Sequence, residues 1–207
     1  MQRVFDAYHE WYYPRQFNRN TYRGATLYKW IGDLWNYQEI LSTLRPSLVV
    51  EFGCLYGGSG LFFSDLLRNL GSGKLLGVDI TDNVNPLLKS QDNVELLFIS
   101  SLDPRVSQRI QELRDERPLF AILDSDHTKD HVLKEMLVLR PLLRKGDYLV
   151  VEDGNINGHP VLPAWGPGPW EAIEEYEKMY PNDYTHDRER EHKFGFTFAP
   201  NGYLVRN

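Results

Sequence analysis

The stretch Leu48-Val49-Val50-Glu51-Phe52-Gly53-Cys54-Leu55-Tyr56-Gly57-Gly58-Ser59 constrains this chain more than any other. An apolar run ends in an acid, passes through a glycine-rich turn and opens onto an amphipathic segment, Leu61 to Leu70. That order predicts a buried parallel strand, a tight loop with close backbone access, and a helix whose N-terminal amides face a ligand. A second strand is expected from Lys74 to Ile80. It carries Asp79, about 20 residues past the loop, where a carboxylate accepts the hydroxyls of a ribose. The loop lacks the GxGxxG spacing that admits a pyrophosphate. Its E-x-G-x-x-x-G form suits S-adenosylmethionine instead, whose charged amino acid end needs a carboxylate and open carbonyls. The plainer alternative is that these glycines only turn the chain.

The rest of the chain continues the same alternation. Asp33 is expected to cap a helix running to about Leu44, with Leu34, Tyr37, Ile40, Leu41 and Leu44 on its apolar face and Pro46 ending it. Asp82 to Gln91 is a polar loop, and Val94 to Ser100 a third strand. Asp103-Pro104 opens a helix with a cap and a first-turn proline. Pro118 to Asp124 is a fourth strand, His127 to Leu143 a helix, and Asp147 to Glu152 a fifth strand. Gly154 to Pro169, long for such a connection, is the kind of loop that serves as a lid or substrate loop. Pro169 then opens a helix to about Tyr180. Asp187 to Lys193 is expected as an exposed, charged turn. Phe194–Phe198 and Tyr203–Val205 flank Pro200-Asn201-Gly202, which predicts a hairpin on an antiparallel edge. The alternation implies a mostly parallel α/β sheet, and ligands bind past the carboxyl ends of such strands.

Composition closes off several classes. A chain of 207 residues with 42% hydrophobic and 25% charged residues is ordinary for one globular domain. A net charge of −6 argues against nucleic acid or an anionic membrane as partner. No apolar run approaches the roughly 18 residues of a membrane span, and no signal-peptide pattern opens the chain. The single cysteine, Cys54, favours a reducing, cytoplasmic setting and reads as a buried thiol. Aromatic residues crowd the first 37 positions, which predicts an N-terminal arm over residues 1–32 that packs on the domain, covers a site or joins copies into a homo-oligomer.

The chemistry is expected where the fourth and fifth strands end, Leu123-Asp124-Ser125-Asp126-His127 and Val151-Glu152-Asp153. Neighbouring strand ends bring these carboxylates together, and clustered carboxylates repel unless a hard cation neutralises them. Mg²⁺ would take Asp124, Glu152 and Asp153, with Asp126 a rival to Asp124. His127 has the pKa to accept a proton from a hydroxyl that the metal has made more acidic. The bland alternative leaves Asp124 and Asp126 as caps and the acidic pair Glu152-Asp153 as solvated. His131, one turn on, reads as a supporting or surface group.

The segments D-L-W-N-Y-Q-E, V-V-E-F-G-C-L-Y-G-G-S, G-V-D-I, L-D-S-D-H-T-K-D-H-V, V-E-D-G, G-P-G-P-W-E-A-I and N-G-Y-L-V-R run from Asp33 to Arg206. Together they resemble the cephalosporin hydroxylase and rhamnosyl O-methyltransferase family of class I S-adenosylmethionine enzymes. The resemblance implies a Rossmann-like, doubly wound, mostly parallel seven-stranded sheet spanning 33–207, Mg²⁺ dependence and oligomers. It matches Asp124, Glu152 and Asp153 to metal ligands and His127 to the base, and the separation of these acids is similar to that in catechol O-methyltransferases. In this reading Glu51 holds the methionine amino group, Gly53 to Ser59 make room for the methionine moiety, Asp79 holds the ribose and Ser101 the adenine edge, with Asp124 also beside the cofactor. The expected reaction is O-methylation of a small molecule, a sugar or polyol of a natural product. N-methylation, or a non-catalytic protein that binds the cofactor, are the alternatives.

Overall fold

The computed structural model describes residues 2–207, so Met1 of the expected arm lies outside the described residues. Five strands build the parallel part of the sheet: β3 Leu48–Phe52, β4 Lys74–Asp79, β5 Val94–Phe98, β6 Leu119–Leu123 and β7 Tyr148–Val151. With β8 Tyr184–His186 and β9 Tyr203–Arg206 they form one seven-stranded sheet in the order β5-β4-β3-β6-β7-β9-β8. The first five pair in parallel, whereas β9 is antiparallel to both β7 and β8. Every residue of β3, β6 and β7 is buried, as expected for strands covered on both faces.

Period-two alternation sorts the side chains into two cores. Leu48, Val50 and Phe52 of β3 join the cluster that includes α5 (Pro104–Leu113), α6 (Lys129–Leu139) and α7 (Pro169–Met179). Val49 faces the other way, against α2 (Ile31–Leu44) and α3 (Gly58–Asn69). The polar loop after β4 contains one short helix, α4 (Pro86–Lys89), capped by Asn85. The expected cap at Asp103 is present, its Oδ1 accepting from the Arg105 amide at 2.9 Å.

Three sequence expectations change here. Asp33 does not cap α2; Trp30 holds that position, and Asp33 sits buried in the first turn. Its carboxylate accepts from the Thr197 hydroxyl (2.5 Å), the Phe198 amide (2.9 Å) and the Tyr203 hydroxyl (2.7 Å). The same bonds explain the second change: Phe198, held by Asp33, is not in a strand, and Gly195 at φ +87° interrupts the segment. The partner of β9 in the hairpin is Tyr184–His186, in the register Thr185↔Val205. The charged segment between these two strands, expected as a turn, winds into a short helix, α8 (Arg188–His192), capped by Asp187.

The arm is ordered. Helix α1 (Gln2–Gln16) is followed by a small ribbon of β1 (Asn20–Tyr22) and β2 (Ala25–Leu27). Phe5, His9 and Tyr12 recur at helical spacing and meet Gly195, Phe196 and Phe198. The β2 ribbon lies on the start of α3, where a Cβ at Gly58 would overlap the Thr26 carbonyl. Most of the aromatic enrichment therefore packs the arm onto its own chain.

Candidate active site

The carboxyl ends of β3 to β7 open into a cavity of about 1070 Å³. Gly53, Leu55 and Asp79 line it from β3 and β4, Ser101 from the loop after β5, and Asp124 to His127 from the loop after β6. Asp153 faces it after β7, while Tyr13, Phe17 and Tyr28 of the arm and Leu162 and Trp165 of the long loop form the remaining wall.

The glycine turn is shaped by backbone contacts. Gly53 adopts φ +89°, and a Cβ there would overlap the carbonyl oxygen of Asp124, so only glycine lets β3 and β6 end side by side. Asp79 organises the same turn: its Oδ2 accepts from the amides of Cys54 (3.0 Å) and Leu55 (2.8 Å), and its Oδ1 from the amide (2.9 Å) and hydroxyl (3.0 Å) of Thr81. Those four bonds occupy the acceptor positions of a carboxylate. Asp79 thus stands at the cavity wall, with its oxygens committed to the loop.

Glu51 is elsewhere. Alternation points it to the Val49 face, under the start of α3, and neither oxygen has a hydrogen-bond partner among the described residues. Burial lifts its carboxyl to about 7, against the pull of Lys29 and the neighbouring Ser59 hydroxyl. Glu51 and buried Ser59 do not line the cavity. Cys54 is a free, buried thiol, its pKa pushed up by burial.

The acids divide by register. Leu123 and Val151 are ladder partners, so Asp124 and Glu152 follow side by side. Between them lies Lys29, its Nζ at 2.8 Å from Asp124 Oδ2 and 2.9 Å from Glu152 Oε1, with only 3% of its side chain exposed. Glu152 Oε1 also accepts from the Tyr37 hydroxyl at 2.5 Å. Asp153 takes φ +54°, a left-handed conformation that an aspartate tolerates better than most side chains. That turn sends its carboxylate away from Glu152's neighbours and to His127, with Nε2 and Oδ2 3.2 Å apart.

Ligand atoms of Asp124, His127 and Asp153 lie within 4.8 Å of one another. Glu152 is outside that group, held by Lys29 and Tyr37, and Asp126 is bonded to the Thr128 amide at the start of α6. Burial raises the carboxyl pKa values of Asp124 and Asp153. Burial disfavours charge on His127 too, but the facing carboxylates of Asp153 and Asp124 outweigh it and leave its pKa raised. Two carboxylates and an imidazole around one gap suit a divalent cation, the oxygens favouring a hard ion such as Mg²⁺.

A second polar group stands on the α6 side. His131 Nε2 lies 3.2 Å from both the Ser101 hydroxyl and Glu135 Oε1, and the Ser125 hydroxyl donates to the same oxygen at 2.6 Å. Ser101 and Glu135 share one ring nitrogen of His131, so these residues do not form a nucleophilic relay, which uses both. Lys29, Tyr13 and Glu135 carry no motif; only the fold brings them here.

Comparison with protein families matches residues 15–207 to the family described as Rhamnosyl O-methyltransferase/CmcI. The chain belongs to this family. It is 54% identical over 209 residues to a rhamnosyl O-methyltransferase of Mycobacterium tuberculosis (strain ATCC 25618 / H37Rv), covering 99% of this chain and 85% of that one. The counterpart in Mycobacterium leprae (strain TN) is 51% identical over 210 residues, covering 98% and 90%. Among solved structures, CmcI with Mg and SAM superposes with a TM-score of 0.72 at 23% identity, over 93% of this chain and 78% of that one, which establishes the shared fold. Among the described residues no helix is long and apolar enough to cross a membrane.

Proposed function

We propose that the protein is an Mg²⁺-dependent O-methyltransferase that transfers the methyl group of S-adenosylmethionine to a hydroxyl of a sugar, a rhamnosyl group being the closest match to the names of its relatives. The observation that carries this reading is that Asp124, His127 and Asp153 converge on the same cavity as Gly53 and Asp79. A cofactor seated on the glycine turn and an acceptor seated against the arm would meet at that cluster.

S-adenosylmethionine supplies the methyl group when bound, and Mg²⁺ makes the acceptor hydroxyl more acidic. The chain's own residues do the rest. Asp124 and Asp153 would hold the metal, with Glu152 contributing once its bonds to Lys29 and Tyr37 rearrange. His127 takes the hydroxyl proton, and the neighbouring carboxylate of Asp153 stabilises the charge that the ring then carries. Gly53, Asp79 and Ser101 define the cofactor end, Asp79 by holding the amides of Cys54 and Leu55 in place, and Glu51 and Ser59 support the turn from beneath. Tyr13, Tyr28 and Trp165 present rings on which a sugar face can pack. Catalysis on this scheme is mostly positioning and proton removal.

The test is product analysis after incubation with S-adenosylmethionine, Mg²⁺ and a panel of rhamnosides, other glycosides and amines. O-methylated glycoside is expected with Mg²⁺ and none in excess chelator, while calorimetry still detects cofactor binding. Full turnover in chelator removes the metal from the scheme, and methylated amine as the product returns the N-methyltransferase alternative.

A further inference from the structure

Lys29 enters the scheme above only as a bond that Glu152 gives up, yet it is buried at the centre of the site. Its ammonium meets Asp124 and Glu152 at 2.8 and 2.9 Å. Burying an ammonium is costly unless it is well paired, and here two carboxylates in adjacent register supply the pairing. The backbone that delivers it is itself held: Lys29 lies between β2 and α2, and its carbonyl accepts from Asn20 Nδ2 at 2.9 Å. Asp124 is the shared member, bonded to Lys29 on one side and grouped with His127 and Asp153 on the other. A divalent ion on Asp124 and an ammonium within hydrogen-bond distance of the same carboxylate repel each other.

We propose that Lys29 is an internal cation that holds Asp124 and Glu152 in place before the metal arrives and is exchanged for it on binding. This makes the arm a positioning element of the metal site, and it rests on the metal reading above. The flexible four-carbon stem lets the ammonium withdraw while the arm stays packed. Without Lys29, the metal-free chain would hold adjacent buried carboxylates with no cation between them. With it, the acids stay preorganised and the site discriminates by charge, a divalent ion displacing what a monovalent one does not.

The experiment titrates MgCl₂, without cofactor, into wild type, K29M and K29R by calorimetry, and follows melting temperature in the same samples. K29M should bind Mg²⁺ about tenfold or more tightly than wild type, because the competing charge is gone. It should melt below wild type when metal-free and recover most of the difference in Mg²⁺. K29R, which keeps the charge, should not gain affinity. Since metal-free K29M is at risk of misfolding, a second measurement uses wild type alone. The ¹⁵N signal of the buried Lys29 ammonium, identified by its absence in K29R, should be present without Mg²⁺ and lost at saturation. Equal or weaker Mg²⁺ binding by K29M, or an ammonium signal that persists in saturating Mg²⁺, overturns the exchange while leaving the metal site standing. Failure of every variant to bind Mg²⁺ overturns both.

Discussion

The two walls of the cavity are built in opposite ways. The cofactor wall, from β3 to β5, is local: Gly53 and Leu55 lie in the turn between β3 and α3, and Asp79 reaches that turn from the adjoining strand. The acceptor wall is assembled from distance. Lys29 meets Asp124 and Glu152 across 95 and 123 positions, His9 meets Asn155 across 146, and Asp33 meets Phe198 across 165. In the proposed function the local wall takes the cofactor, and the acceptor would be held by the arm and the Gly154–Pro169 loop.

The largest expected effect lies where the walls meet. His127→Ala should lower turnover by about 10²–10⁴-fold, the usual scale for losing a general base, while Mg²⁺ and S-adenosylmethionine bind as before. Raising the pH should recover part of the loss, because solvent then removes the proton. Single-turnover rates and calorimetry on one variant check both parts. If Mg²⁺ affinity collapses along with turnover, His127 is a metal ligand, as its place in the cluster with Asp124 and Asp153 also allows.

Within the local wall, Gly53→Ala is the sharpest probe. The added methyl both overlaps the Asp124 carbonyl and strains a backbone at φ +89°. Denaturant unfolding should show a loss of about 3–5 kcal/mol, the sum of overpacking and backbone strain. Surviving molecules should bind Mg²⁺ more weakly, because Asp124 must shift. A loss below about 0.5 kcal/mol, the range of an ordinary surface change, would mean that the two strand ends are not locked together.

What was legible in the sequence follows the same division. Alternating apolar runs and helix signals mark every parallel strand, and Asp79, Ser101, Asp124, His127 and Asp153 are recognisable because each ends or follows a strand. Glu51 is recognisable as a residue, but its direction depends on strand parity, which sends it beneath α3. Asp33 looks like a cap because it precedes an amphipathic run; nothing local reveals that Thr197, Phe198 and Tyr203 will claim its carboxylate. One strand of the C-terminal hairpin differs from the expectation for a related reason. Residues 194–198 alternate like a strand, yet the Thr197 hydroxyl and the Phe198 amide are satisfied by Asp33 of α2. Lys29 gives no signal, since a lone lysine before Trp30 reads as a surface residue until the fold surrounds it with acids.

The smallest of these effects tests whether the arm belongs to the cooperative fold. His9 is 1% exposed, stacks on Phe196 and Phe198 with ring centroids 4.4 and 5.4 Å away, and contacts Asn155 Nδ2 through Nε2 at 2.8 Å. Burial lowers its pKa to about 4, against a smaller opposing pull from Asp6. Above pH ~6.5 the imidazole is neutral both folded and unfolded, and contributes no pH dependence. As pH falls from there, the unfolded chain takes up a proton that the folded chain refuses, so stability is lost until the pH reaches about 4. The full window is worth about 3–4 kcal/mol, each pKa unit being about 1.4 kcal/mol. Asp33 and Glu51, both raised to about 7 by burial, act in the opposite sense, since their neutral forms favour the folded chain at low pH. The diagnostic quantity is therefore the difference between wild type and His9→Gln, which keeps a polar partner for Asn155 but does not titrate. Unfolding free energies at pH 7 and pH 4.5 should fall more steeply for wild type by about 2 kcal/mol. Parallel pH profiles for the two proteins would mean that α1 detaches before the sheet unfolds, and the acceptor wall would then be an independent layer laid over a finished domain.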